Sequence, residues 1–287
     1  MAIGRRRRRG SNQAELRDTI GWLSVPRHAW AQARENRRIG ERIATQLEGL
    51  GYRVAFQGQH RNVVAMPGVA ISKPLTLVCA HYDSVPGTPG ADDNGSGVAV
   101  LLACARALAG RGAPVGFIAF NAEEDGMIGS ADFVGNLREQ GVLAIRGAHV
   151  LEMVGFAAHG KGSQRAPVRL PLPLPDVGDF IGLLGSAGGN ALLDGVVRTA
   201  ERAVPDLRVV GLKTYAGIDR LLPVLHRSDH SPFWQAGIPA VLWTDTAEFR
   251  NPNYHQASDT PRTLDYAFMR RVADLVVASV GADMTAP

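Results

Sequence analysis

Short apolar runs alternate with helix-patterned segments through most of this chain, and that alternation limits the folds open to it. Residues 75–80 (LTLVCA) and 115–120 (VGFIAF) are apolar stretches of strand length. Between them, residues 98–109 (VAVLLACARALA) are apolar over the length of a helix. Residues 130–140 read as a helix, 149–154 as a third strand and 239–243 as a late strand. Residues 264–280 close the chain as a helix, with Leu264, Phe268, Val272, Leu275 and Ser279 on one side. Strands without polar alternation are buried on both faces, and a helix between successive strands lets them run parallel. The expected fold class is α/β, with a mainly parallel, mixed central sheet covered by helices on both faces.

Ahead of this region, residues 27–50 have helical periodicity, with Ile39, Ile43, Leu47 and Leu50 on one face and Gly51 as a C-terminal stop. Residues 52–56 and 62–66 read as short strands. The stretch 161–190 is rich in Pro, Gly and Leu and reads as a long excursion, of the kind that often shapes a pocket. The expected organisation is a disordered basic tail at 1–13 and one catalytic domain at 14–287, with an excursion at about 156–235.

Charge argues against a nucleic-acid-binding body. Arg5, Arg6, Arg7, Arg8 and Arg9 supply five of the 31 basic residues, and the remaining 26 face 27 acidic ones. Any nucleic-acid contact is therefore expected only through that arginine run. No apolar run approaches the roughly 18 residues of a membrane span. Cys79 and Cys104 both lie in apolar stretches and read as buried thiols rather than a disulfide framework. No apolar segment follows the arginines, so the expected location is cytoplasmic.

Ligands of open α/β sheets sit at the carboxyl ends of the strands. After LTLVCA come His81, Asp83 and then Asp92 and Asp93; after VGFIAF come Glu123 and Glu124. Glu152 ends the third strand, and Asp245 and His255 follow the late one. Carboxylates with a few imidazoles and no thiolate cluster suit zinc, and so many carboxylates fit two ions about 3.5–4 Å apart. Asp83, two residues from His81 on an extended chain, can accept the second N–H of that imidazole. Asp259 can do the same for His255. Asn94 or Ser96 can cap the helix that follows.

The ordered motifs HYDS, GADDNGSG, NAEEDGMIGS, LEMVG, RSDHSPFWQAGIP and H-x-x-x-DT resemble a family of di-zinc exopeptidases. That family contains bacterial secreted leucyl aminopeptidases, glutamate carboxypeptidases and glutaminyl cyclases. The resemblance runs from about Asn62 to the last helix. It implies a zinc exopeptidase architecture and hydrolysis of a terminal peptide bond, most simply at the N-terminus, by a water activated between two zinc ions. Position by position, it implies that His81 binds one metal, that Asp93 bridges both, and that Glu124 and His255 bind the other. Glu152 stands where many members carry aspartate. Glu123 is implied as general base, and a cis peptide is implied between Asp93 and Asn94.

Other readings of these residues stay open. Asp92 rivals Asp93, and Glu152 can instead be a buried carboxylate paired with an arginine. Adjacent Ser228, Asp229 and His230 cannot converge as a triad, and the chain has no G-x-S-x-G elbow. His230 is expected near the pocket or the substrate. Tyr215 is a candidate donor to an oxyanion or a packing residue. A carboxypeptidase needs a cation for the substrate carboxylate, for which Arg165, Arg169, Arg220 and Arg227 are candidates. A cyclase of the same family and a non-enzymatic binding module are the remaining readings.

Overall fold

The computed structural model describes residues 11–69, 73–140, 144–166 and 175–283. The arginine run and Arg169 lie outside them. Two helices, α1 (Gln13–Leu23) and α2 (Ala33–Gly49), lead into the hairpin β1 (Arg53–Gln57) and β2 (Asn62–Met66). There follow β3 (Leu75–His81), α3 (Gly95–Leu108), β4 (Val115–Phe120), α4 (Ile128–Gln140) and β5 (Ile145–Glu152). The second half comprises β6 (Phe180–Gly185), α5 (Asn190–Ala203), β7 (Arg208–Lys213), α6 (His230–Gln235), β8 (Ala240–Thr244) and α7 (Tyr266–Asp283).

The eight strands form one mixed sheet in the order β1-β2-β4-β3-β5-β8-β6-β7. β3 lies at its middle, parallel to β4 and β5, and β8 continues the parallel set beside β5. Every residue of β3 and β4 is buried, as their largely apolar sequences lead one to expect. One face carries a core that includes Leu16, Ile39, Leu101, Phe117 and Val276 from α1, α2, α3, β4 and α7. The other carries Leu77, Phe120, Phe133 and Phe233, with α4 and α6 as cover. The expected α/β class, mixed sheet and two helical layers are what the chain adopts. No described helix is long and apolar enough to cross a membrane. Cys79 and Cys104 are buried free thiols, and burial pushes both up from the ordinary thiol range.

Three expectations need correction. The tail does not reach residue 13: Asn12 accepts the N–H of Ala14 and caps α1, which buries Leu16, Ile20 and Leu23. The helix expected from residue 27 begins at Ala33, because the Arg27 N–H donates to Ser84 Oγ and the His28 ring accepts the N–H groups of Trp30 and Ala31 in loop contacts described below. The region around 156–235 is more than an excursion, since β6, α5 and β7 within it extend the sheet. β6 pairs antiparallel with β8, and β7 runs parallel to β6. The amino ends of β6 and β7 therefore lie beside the carboxyl end of β8, where the other parallel strands also finish.

Candidate metal centre

His81 is the last residue of β3 and is fully buried, which aims its imidazole at the loops beyond the sheet. Its Nδ1 faces Asp83 Oδ1 at 3.4 Å. Its Nε2 is surrounded by carboxylates: Glu152 Oε2 at 3.3 Å, Asp93 Oδ1 at 3.4 Å and Glu123 Oε2 at 3.8 Å. These separations exceed those of good hydrogen bonds. His255 approaches from the opposite side, with Nε2 3.2 Å from Asp93 Oδ2 and 3.4 Å from Glu124 Oε2. Asp93 thus turns one oxygen to each imidazole. The peptide between Asp93 and Asn94 is cis.

Each loop is held by its own local chemistry. Asn94 accepts the N–H of Gly97 and caps α3, while its Nδ2 donates to Leu151 O. The first turn of that helix is thereby tied to the end of β5, where Glu152 sits. Asp83 also accepts the N–H groups of Glu123 and Glu124, both at 3.2 Å. One buried carboxylate therefore orients the imidazole and the Glu-Glu turn together. Ala122, just before that turn, has φ of 57°, a left-handed bend that sends Glu123 and Glu124 in different directions. Ser228 Oγ donates to Glu152 Oε2 at 2.6 Å. Glu152 has His81 and Ser228 as neighbours here, which disfavours the arginine-paired reading.

The electrostatics are those of anions crowded around two bases. Burial, reinforced by Glu152, Asp229 and Glu124 against His81, raises the Glu123 carboxyl well above its usual range. Burial and neighbouring Asp93 push Glu124 up to about 7. Burial alone would raise Asp93, but His255 and His81 hold it below the usual carboxylate range. Burial opposes charge on His255, yet Asp93 and Glu124 lift it to about 10.

His81 with Asp93 and Glu124, and His81 with Glu123 and Glu152, bring their donor atoms within 4.8 Å of one another. Nε2 of His81 and Oε1 of Glu124 are buried without a hydrogen-bond partner. Inward-facing donors left unsatisfied by the protein are what a metal cage supplies. Imidazole and carboxylate without thiolate fit zinc.

Other expected residues fall elsewhere. Asp92 is turned away: its oxygens accept Gly155 N–H at 3.0 Å and Asn251 Nδ2 at 2.7 Å. Asp259 does not serve His255. Its carboxylate accepts the N–H groups of Asp92 and Asp93 at 2.9 and 3.1 Å, so it steadies the loop that presents Asp93. His230 packs in the core, with Nε2 2.7 Å from Leu225 O and its ring edge-on to Trp234. Tyr215, 57% exposed in the segment after β7, is a surface residue.

Two neighbours of the site are given no role by the sequence. Tyr254 stacks on His255 at 3.7 Å, and its hydroxyl accepts from Arg227 at 3.2 Å. Asp229, fully buried near His81 and Glu152, is pushed up to about 7 by burial. Their signals were adjacency to His255 and membership of the RSDH motif. A cavity of about 170 Å³ opens beside Glu152 and Tyr254, walled by Phe180, Leu184, Val210, Leu212, Leu225 and Phe249. It occupies the place where β6 and β7 begin beside the end of β8. At its rim Arg227 forms an ion pair with Glu248, whose carbonyl also accepts from Arg165. Arg220 lies in the single-turn helix Ile218–Leu221.

Comparison with known proteins accords with this geometry. The chain is 34% identical to the Escherichia coli protein YfbL, an alignment covering 94% of this chain and 88% of that one. It is 29% identical to BSAP, a zinc aminopeptidase from Bacillus subtilis, with a TM-score of 0.58; the match covers 77% of this chain and 49% of BSAP. LapB from Legionella pneumophila has the same fold, at 22% identity and a TM-score of 0.78, over 96% of this chain and 73% of that one. The chain spans only about half the length of the Bacillus enzyme. The sequence pattern of peptidase family M28 matches residues 62–169 and 209–280, which contain every residue of the candidate cage, and on that match the chain belongs to peptidase family M28.

Proposed function

We propose that this zinc metallopeptidase is an aminopeptidase, removing the N-terminal residue of a peptide at a centre that holds two zinc ions. The observation that carries this reading is the division of the Asp93 carboxylate, one oxygen toward His81 and the other toward His255. His81 and Glu152 would hold one ion, Glu124 and His255 the other, with Asp93 shared. When bound, zinc supplies a Lewis acid for the scissile carbonyl and lowers the pKa of a water.

Glu123 is the base in this scheme. Its carboxylate takes a proton from the attacking water as the new C–O bond forms. It returns that proton to the amine nitrogen as the C–N bond breaks. The Tyr254 hydroxyl, kept protonated by burial and by the charges of Asp93 and Glu152, is the phenol at this centre in place of Tyr215. The apolar cavity would receive the side chain of the departing residue.

A free α-ammonium suits the acidic surroundings of Asp93, Glu123 and Glu152. A substrate carboxylate would need a free cation, and the arginine at the cavity rim is already paired with Glu248. This favours an aminopeptidase over a carboxypeptidase. The test is a panel of amino-acid 4-nitroanilides, each with and without an N-acetyl group, alongside peptides blocked at either end. An aminopeptidase cleaves only the free-amine forms. Cleavage of N-acetylated substrates, or cyclisation of glutaminyl peptides in place of hydrolysis, would sink the assignment.

A further inference from the structure

Residues 27–36 precede the part of the chain that matches the family pattern, which begins at residue 62. Yet they grip the loops of the metal centre. Arg27 is fully buried. Its Nε donates to Tyr82 O at 2.6 Å, Nη1 to Pro89 O at 2.6 Å and Nη2 to Gly90 O at 2.9 Å. Its backbone N–H donates to Ser84 Oγ at 3.1 Å. One planar cation therefore ties the loop leaving His81 to the loop arriving at Asp93. Gly90 has φ of 59°, and a Cβ there would lie 3.0 Å from Nη1, so the loop is folded against the guanidinium.

The next residues reach the third loop. His28 Nδ1 accepts the N–H groups of Trp30 and Ala31, which leaves Nε2 as the protonated nitrogen, 3.3 Å from Asp125 Oδ2. Asp125 follows Glu124 directly. Asn36 exchanges side-chain hydrogen bonds with Asn121, at 2.8 and 3.0 Å, and also donates to Arg27 O. Asn121 lies two residues before Glu123.

We propose that Arg27, His28 and Asn36 form a strap that positions His81, Asp93 and the Glu123–Glu124 turn for metal binding. The proposal rests on the metal-centre reading above. A buried guanidinium is tolerated only where its N–H groups all find acceptors. Here three of those acceptors, Tyr82 O, Pro89 O and Gly90 O, are backbone carbonyls of two different ligand-bearing loops, and Leu23 O and Val25 O at the end of α1 take the rest of Nη1. A lysine head carries the charge but lacks the fork that reaches both.

The experiment uses the full chain, with zinc affinity measured by competition with a chromogenic chelator and thermal unfolding of the zinc-free protein followed in parallel. Arg27→Lys and Asp125→Asn should each weaken zinc binding about tenfold or more, as loss of outer partners of a metal ligand does. Leu193→Ala is the control. It opens a cavity against Gly185, which pairs with Val241 near the amino end of β8, away from the centre. It should lower the unfolding temperature while leaving zinc affinity within about twofold, having removed only packing. Wild-type zinc affinity in both strap variants would overturn the strap, as would an equal loss of affinity in Leu193→Ala. Should Arg27→Lys fail to fold, Asp125→Asn decides alone. Zinc binding by the wild-type chain in the same titration judges the metal-centre reading separately.

Discussion

Ser228 Oγ lies 2.6 Å from Oε2 of Glu152, so the carboxylate at the end of β5 is aimed by a hydroxyl from a segment 76 residues further along the chain. Ser228 is buried and makes this contact just before α6. Glutamate has one more rotatable bond than aspartate, and a longer arm needs something to fix it. The serine supplies that constraint.

Ser228→Ala removes the constraint without adding bulk. Zinc affinity should fall about tenfold, in line with the loss of a hydrogen bond to a ligating carboxylate. Chelator competition measures this directly. Unchanged affinity would mean that Glu152 is oriented by His81 alone or does not ligate.

Glu123→Gln tests the base. The amide keeps the size of the side chain and cannot take up the proton. Bound zinc should be unchanged by elemental analysis, while kcat on a leucyl 4-nitroanilide falls by about 10²–10⁴-fold. KM should move little. Loss of zinc in this variant would instead make Glu123 a ligand, a role its 3.8 Å distance to His81 leaves geometrically open.

Much of this was legible in sequence, for a physical reason. β3 and β4 are buried on both faces, and apolar residues dominate there, so LTLVCA and VGFIAF stand out. The residues that end those strands then lie near one another wherever the sheet is parallel. Long-range partners carried no such signal. Nothing in the local sequence says that Arg27 meets Pro89 or that Ser228 meets Glu152. Spacing alone suggested Asp259 for His255, yet the nearest unsatisfied donors were the backbone N–H groups of Asp92 and Asp93. The Pro- and Gly-rich composition of 161–190 hid β6, which contains Gly182 and ends in Gly185.

His230 predicts an acid sensitivity separate from the metal centre. Burial holds its imidazole down to about 4, against 6.5 for a free histidine. Above pH 6.5 it is neutral in the folded and unfolded chains alike, and its contribution to stability is fully present. As pH falls from 6.5 to 4 the unfolded chain takes up the proton first, and stability is lost progressively. The loss reaches about 3 kcal/mol near pH 4. Urea unfolding at pH 7 and pH 4.5 should show a smaller drop in His230→Gln than in the wild type. The zinc ligands titrate equally in both proteins, so parallel drops would refute the role given to His230.

The cavity beside Glu152 makes a prediction about substrate choice. Gly182 on β6 is part of its lining, and the absence of a side chain there leaves room between Leu184 and Thr244. A Cβ at 182 would lie 3.1 Å from Thr244 O and 3.7 Å from the Thr244 and Thr246 methyls, close enough to narrow the space after a small shift of the strand. Gly182→Val adds three carbons to a cavity of about 170 Å³. Each methylene gained or lost in an apolar pocket changes discrimination by about 1–3 kcal/mol. The ratio of kcat/KM for leucyl over alanyl 4-nitroanilide should therefore fall about tenfold or more, with activity on the alanyl substrate largely kept. Because Gly182 lies outside the cage, zinc content should match the wild type. An unchanged leucyl-to-alanyl ratio would mean that the departing side chain binds elsewhere, and that the cavity serves another part of the substrate.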